Sequence, residues 1–279
     1  MKTSLVTFVF CVLFSFYCFP QKNICIGERH TIHSNVLDEK REYWLYLPES
    51  YATEKEKSYP VIYLLDAGSF FHYLVGVQRA YSQARIPVMN ECIIVGLLSG
   101  ERVKDFTPTK SAYQRDGTLL PPEKAIGGES ERFTVFLIEE LRAEINGKYR
   151  TNSKNTLIGH SYGGLFVLTT LSYHSEMFSS YVAFDPSLWW DNMFIVRQAE
   201  AVLANRDLSG ISLYLGFGEK MRPDQNNSLF LSSTNYFRKE ILPLAKKQGL
   251  TVTDKSFPDD NHGTITLSGL LDAFKILPI

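Results

Sequence analysis

The chain has 279 residues, 44% of them hydrophobic and 21% charged, an ordinary globular composition with enough apolar material for one sizeable core. Its formal net charge of -1 supplies no field to gather nucleic acid or an anionic membrane surface. The ligand class left open is a small molecule or a glycan.

Residues 1–20 stand apart. Lys2 precedes an apolar run from Leu5 to Pro20, broken only by Thr7 and Ser15. A basic start and a short apolar stretch read as a secretory signal, too short to cross a bilayer comfortably. The expected location is exported, periplasmic or secreted, with no stable membrane insertion after cleavage; an uncleaved N-terminal anchor is the alternative. Cys11 and Cys18 fall in this segment, leaving Cys25 and Cys92 in residues 21–279. Those two thiols could form one bridge in an oxidising compartment. Cys92, however, opens the apolar run Cys92-Ile93-Ile94-Val95-Gly96-Leu97 and reads as a core thiol. No pair has metal-ligand spacing, so no metal is expected.

Thr31–Leu37 and Glu42–Leu47 alternate as two antiparallel strands joined at Asp38-Glu39-Lys40. Pro60–Leu65 is then continuously apolar, the pattern of a strand buried on both faces. Similar runs recur at Cys92–Leu98, Thr156–Ile158, Tyr181–Phe184, Ser212–Phe217 and Thr251–Phe257. Between them, Phe133, Phe136, Leu137, Leu141 and Ile145 share one helical face, opposite Glu139, Glu140, Arg142 and Glu144. Asn226–Lys247 and Ile265–Ile276 also read as helices. Buried strands alternating with helices predict a mostly parallel sheet covered on both sides, in an α/β fold. No repeat or linker divides residues 21–279, which are read as one domain. The segment Ser99–Arg132 has little periodicity and is punctuated by Pro108, Gly117, Pro121, Pro122, Gly127 and Gly128. A loop of that length inside a compact domain is usually functional or disordered, and its place after a central strand puts it near the carboxyl edge of the sheet.

The chemistry concentrates at Gly159-His160-Ser161-Tyr162-Gly163. Asn155–His160 is strand-like and the residues from Tyr162 onward are helix-like, so the G-x-S-x-G pattern sits on a strand-to-helix turn that lifts a serine above the sheet. A serine alcohol needs a base to act as a nucleophile at neutral pH. Of six histidines, His262 follows the last strand in Pro258–Gly263, and the chain order serine, acid, histidine is the one this fold uses. His160 adjoins Ser161, but the turn is expected to point successive side chains apart. Glu219, after the strand Ser212–Gly218, is the expected acid; Asp185, Asp191, Asp259, Asp260 or a bare Ser–His dyad are the alternatives. The backbone N–H groups of Tyr162 and Gly68 are the expected oxyanion donors.

Tyr59–Asp66, Asp105-Phe106-Thr107-Pro108-Thr109, Gly159–Gly164, Asp185-Pro186-Ser187-Leu188-Trp189-Trp190 and Asn261-His262-Gly263 resemble the Putative esterase family of the α/β-hydrolase fold. Esterase D, feruloyl esterases and the siderophore esterases that open enterobactin-like trilactones belong to that family, and the Pro-Ser-Leu-Trp-Trp stretch leans toward the last group. The resemblance covers Thr31 to the C-terminus and implies Ser161 and His262 in the roles above, with an acid, commonly aspartate, near Glu219. It implies a serine carboxylic-ester hydrolase working through an acyl-enzyme and needing no cofactor. An acyltransferase on the same fold, or a feruloyl or acetyl glycan esterase, is the alternative. Arg102, Phe106, Trp189 and Trp190 are the expected substrate contacts. Oligomeric state is not legible.

Overall fold

The computed structural model describes residues 24–203, 206–220 and 228–277; the expected signal, residues 1–20, lies outside them. Eight strands form the main sheet: β1 (Glu28–Ser34), β2 (Glu39–Tyr46), β3 (Tyr59–Leu64), β4 (Ile93–Leu97), β7 (Thr151–His160), β8 (Ser180–Phe184), β9 (Ser212–Gly218) and β10 (Thr251–Phe257). Their spatial order is β1-β2-β4-β3-β7-β8-β9-β10. Only β2 runs against the rest, pairing antiparallel with both β1 and β4, while the remaining neighbours pair in parallel. The mostly parallel sheet expected from the apolar runs is present. β3 shows why such a run is uninterrupted: every one of its residues is buried. Val61, Tyr63 and Leu65 point into one hydrophobic layer and Ile62 and Leu64 into the other, as the two-residue period of a strand requires.

Helices cover both faces. On one side α1 (Ala67–Ser82) and α9 (Ile265–Ala273) bury Phe71, Leu74, Ile265 and Leu270. On the other lie α3 (Ser130–Val135), α4 (Arg142–Lys148), α5 (Tyr162–Tyr173) and α6 (Trp190–Leu203). α3 runs into α4 through a π-helical turn at Phe136–Leu141, and the expected apolar face, Phe133 to Ile145, is buried in this layer. The last long helical segment is likewise split, into α7 (Ser228–Tyr236), a π turn at Phe237–Ile241 and α8 (Leu242–Lys247). The first hairpin turns earlier than its alternation predicts. Leu37 N–H donates to Ser34 Oγ, and Asn35 and Val36 N–H donate to Glu140 at 2.9 and 3.2 Å. These side chains take the donors that would have extended the ladder, so the chain leaves the sheet at Ser34.

The aperiodic segment is folded against the sheet's carboxyl edge. It contains α2 (Arg102–Phe106) and a two-stranded ribbon, β5 (Lys110–Ser111) against β6 (Ile126–Gly127). Its anchor is buried: Arg41 on β2 makes a two-pronged pair with Asp105 on α2 at 2.7 and 3.0 Å, the two residues being only 6% and 1% exposed. Breaking such a pair from one side leaves an uncompensated charge in the interior. Arg41→Met is therefore expected to cost about 3–5 kcal/mol, read as a lower urea midpoint at unchanged slope. The two cysteines do not pair; Cys25 is exposed and Cys92 buried as a core thiol, its ionisation pushed up by burial.

Candidate active site

β7 ends at His160 and α5 begins at Tyr162, leaving Ser161 as the single residue of the turn. Its backbone lies at φ 59°, ψ -115°, a region L-residues avoid at a cost of about 1–3 kcal/mol. Glycine is required two residues earlier because a Cβ on Gly159 would stand 2.3 Å from the carbonyl oxygen of Gly163. The strain is held from both sides. Ser161 N–H donates to Phe184 O at 2.9 Å, and Ser161 O accepts from Ser187 N–H at 3.0 Å. The turn after β8 thus clamps the turn after β7.

That same turn carries a carboxylate. His262 Nε2 lies 3.1 Å from Ser161 Oγ, and His262 Nδ1 lies 3.2 Å from Asp185 Oδ2. Asp185 is 2% exposed, has positive φ (40°), and accepts Gly218 N–H through Oδ1 at 3.0 Å. Its own N–H donates to Gly216 O, so it is pinned across the end of β9. Glu219, the expected acid, is exposed, and its N–H is spent on Phe257 O. The carboxylate at the imidazole is Asp185, one strand nearer the serine. A signal for it exists: Ser161 and Asp185 each stand one residue past the end of a buried strand, and Asp185 directly follows the run Tyr181–Phe184. Asp191 is not the partner either; it begins a short left-handed stretch at the start of α6.

His160 is not turned away from the site. Its Nε2 lies 2.7 Å from the backbone oxygen of His262, and the two rings are 4.5 Å apart between centroids. Burial, then the neighbouring His262 and Arg102, push its ionisation down to about 3, so the ring is neutral at physiological pH. The sign follows directly. Between about 3 and the ordinary value of 6.5, the unfolded chain binds a proton here that the folded chain does not, and stability falls as pH falls through that window.

Beside Ser161 and His262 opens a cavity of about 320 Å³, lined also by Tyr113, Arg115, Tyr162, Ser187, Trp189 and Trp190. Both tryptophans were expected there. Trp190 is held in place by Nε1–H donating to Thr109 O at 3.1 Å. Two other expected substrate contacts are not in the cavity wall. Phe106 is fully buried against Phe133 and Phe166, because the Arg41–Asp105 pair drags its helix inward. Arg102 is committed to Asp66, at 2.7 and 3.0 Å, and to His160 O at 2.8 Å; it buttresses the end of β7. Tyr162 lines the cavity and its N–H is the first of α5, where helical amides lack intrahelical partners. Gly68 is the second residue of α1 and does not line the cavity, although Asp66, just before that helix, lies against Gly163. Sequence reasoning missed Ser187, whose Oγ is 3.3 Å from Ser161 Oγ, and the wall formed by Ser111, Tyr113, Gln114 and Ile126. These residues sit in stretches with no periodic signal.

This strand order, the strained elbow and a histidine beside the serine define a serine hydrolase of the α/β-hydrolase fold. The chain belongs to the Putative esterase family, which matches residues 34–263, and it is a serine esterase. It is 29% identical over 239 residues to ferri-bacillibactin esterase BesA of Bacillus subtilis, covering 81% of each chain. To the siderophore enterobactin esterase of Emericella nidulans it is 29% identical over 169 residues, 57% of this chain and 54% of that one. Among solved structures, the IroE-like serine hydrolase of Shewanella oneidensis superposes with a TM-score of 0.79 at 31% identity, over 89% of this chain and 79% of that one.

Proposed function

We propose that the chain hydrolyses siderophore esters, with Ser161 as nucleophile, His262 as general base and Asp185 as the acid that orients it. The observation that carries the reading is the Ser161–His262–Asp185 line of contacts opening into an aromatic cavity whose described lining residues include a cation, Arg115. Asp185 accepts a hydrogen bond from Nδ1–H, which keeps Nε2 unprotonated and free to take the proton of Ser161 as Oγ attacks the ester carbonyl. The Tyr162 N–H, with a second amide from the start of α1 (Gly68 being the one expected), stabilises the oxyanion. Collapse breaks the ester C–O bond, and the imidazolium hands its proton to the departing alkoxide. Water then gives a proton to Nε2 and attacks the acyl carbon. The acid is released, the proton returns to Ser161 Oγ, and no cofactor enters.

The substrate class is supported by the relatives named for ferri-bacillibactin, enterobactin and triacetylfusarinine C esterases. Tyr113, Tyr162, Trp189 and Trp190 provide faces for a flat acyl group, and Arg115 provides attraction for an anionic one. The apolar opening of residues 1–20 supports export from the cytoplasm; among the described residues no helix is long and apolar enough to cross a membrane. A substrate panel tests the reading. Ferric and iron-free trilactones, feruloylated and acetylated sugars, and simple nitrophenyl esters are compared by kcat/KM, with product analysis for acyl transfer. A trilactone is expected to exceed the sugar esters by about 10²-fold or more, the scale of two well-placed polar contacts. A sugar ester ranking first would overturn the substrate class and leave the hydrolytic chemistry in place.

A further inference from the structure

We infer that His160 is a positioning residue: through its Nε2–H it ties the backbone of the catalytic histidine to the strand that carries the nucleophile. The inference rests on the reading of His262 as the base and adds a second histidine to the machinery. A backbone carbonyl can only accept, so the 2.7 Å contact between His160 Nε2 and His262 O requires the proton to sit on Nε2. Apart from the contacts of the His262 ring with Ser161 and Asp185, the backbone of this segment is held, among the described residues, by bonds such as Asp260 N–H to Phe257 O, and Thr264 and Ile265 N–H to Asn261 O, with Lys220 N–H to Asp260 O as a link to the end of β9. None of those bonds involves residue 262 itself or reaches β7. The His160 bond does both, across 102 residues of chain.

The ring is itself fixed. Phe70 packs edge-on at 5.8 Å, and Arg102, paired with Asp66, grips the His160 carbonyl. The titratable and charged groups acting on the ring are His262, its ring tilted at 44° to that of His160, and Arg102, itself paired with Asp66. One is a base that becomes cationic in the transition state; the other already contains a cation. A second positive charge on His160 would oppose both, and burial removes the water that would solvate it. A neutral donor can hold His262 without adding a charge that opposes formation of the imidazolium.

Three variants and one direct measurement test this. His160→Phe keeps a flat ring and deletes the donor, while His160→Gln places an amide N–H near the position of Nε2. With a simple nitrophenyl ester, so that the siderophore reading is not engaged, His160→Phe should lower kcat by about 10²-fold with KM little changed, the cost of a misplaced catalytic group. His160→Gln should recover most of that loss. His262→Ala serves as the control, since activity surviving there would sink the base assignment rather than the role of His160. Equal losses in the Phe and Gln variants, or an unchanged kcat in His160→Phe, would overturn the positioning role. If His160→Phe fails to fold, imidazole 15N NMR of the wild-type enzyme decides: His160 should show the neutral Nε2–H pattern from pH 8 down to about 4. An Nδ1–H pattern, or titration in parallel with His262, would refute the inference.

Discussion

Ser161→Ala is expected to lower kcat by about 10⁶-fold, leaving only what the oxyanion donors and binding supply. Labelling by a fluorophosphonate should disappear with it. The same position should show the opposite sign in stability. Ser161 holds positive φ with a side chain attached, and glycine adopts that region without a steric penalty. Ser161→Gly should therefore be inactive yet more stable than Ser161→Ala, by about 1 kcal/mol on the scale of such strain. A thermal or urea midpoint measured on both variants checks the order. An active Ser161→Ala protein would remove the nucleophile assignment altogether.

Asp185→Asn carries the second large effect, a loss of about 10⁴-fold in kcat. The reason is the tautomer. An asparagine amide can donate to His262 Nδ1, which moves the imidazole proton to Nε2 and removes the acceptor that Ser161 needs. Asp185 also accepts Gly218 N–H, so the variant should be compared with Asp185→Ala, which removes both contacts. Glu219→Gln is expected to leave kcat essentially unchanged, because that side chain is exposed and the imidazole already has its carboxylate. The reverse ranking, a damaging Glu219 variant and a silent Asp185 one, would restore the acid position that the strand order suggested.

The contrast between Glu219 and Asp185 marks where sequence reasoning reaches its limit. Both follow a buried strand, and one-dimensional order accommodates either. The choice depends on how far each strand end stands from His262. Here β8 is the immediate neighbour of β7 and its turn is bonded to Ser161 at both N–H and C=O, so a short aspartate suffices. The error at Phe106 and Arg102 has a related origin. A segment with no periodicity reveals that it is not a regular element, but not which of its side chains face the cavity. The Arg41–Asp105 and Arg102–Asp66 pairs decided that, joining residues 64 and 36 positions apart. His160 was misjudged because successive residues normally diverge, whereas the strained turn at Ser161 lets its neighbour's ring reach the loop of His262.

By itself, then, the sequence determined the class of fold and picked out Ser161 and His262 as the candidate nucleophile and base. Short apolar runs bounded by turn residues read as strands buried on two faces, which holds for β3 and β4 but not for the edge strand β10, where no residue is buried; a serine between close-packed glycines has few other uses. A histidine past the last strand is the candidate for the matching base. The tertiary structure alone decided which carboxylate meets His262, which side chains line the cavity and what His160 touches. Each of those depends on contacts between groups far apart in the chain, and their distances are set by strand order and buried charge pairs that no local pattern encodes.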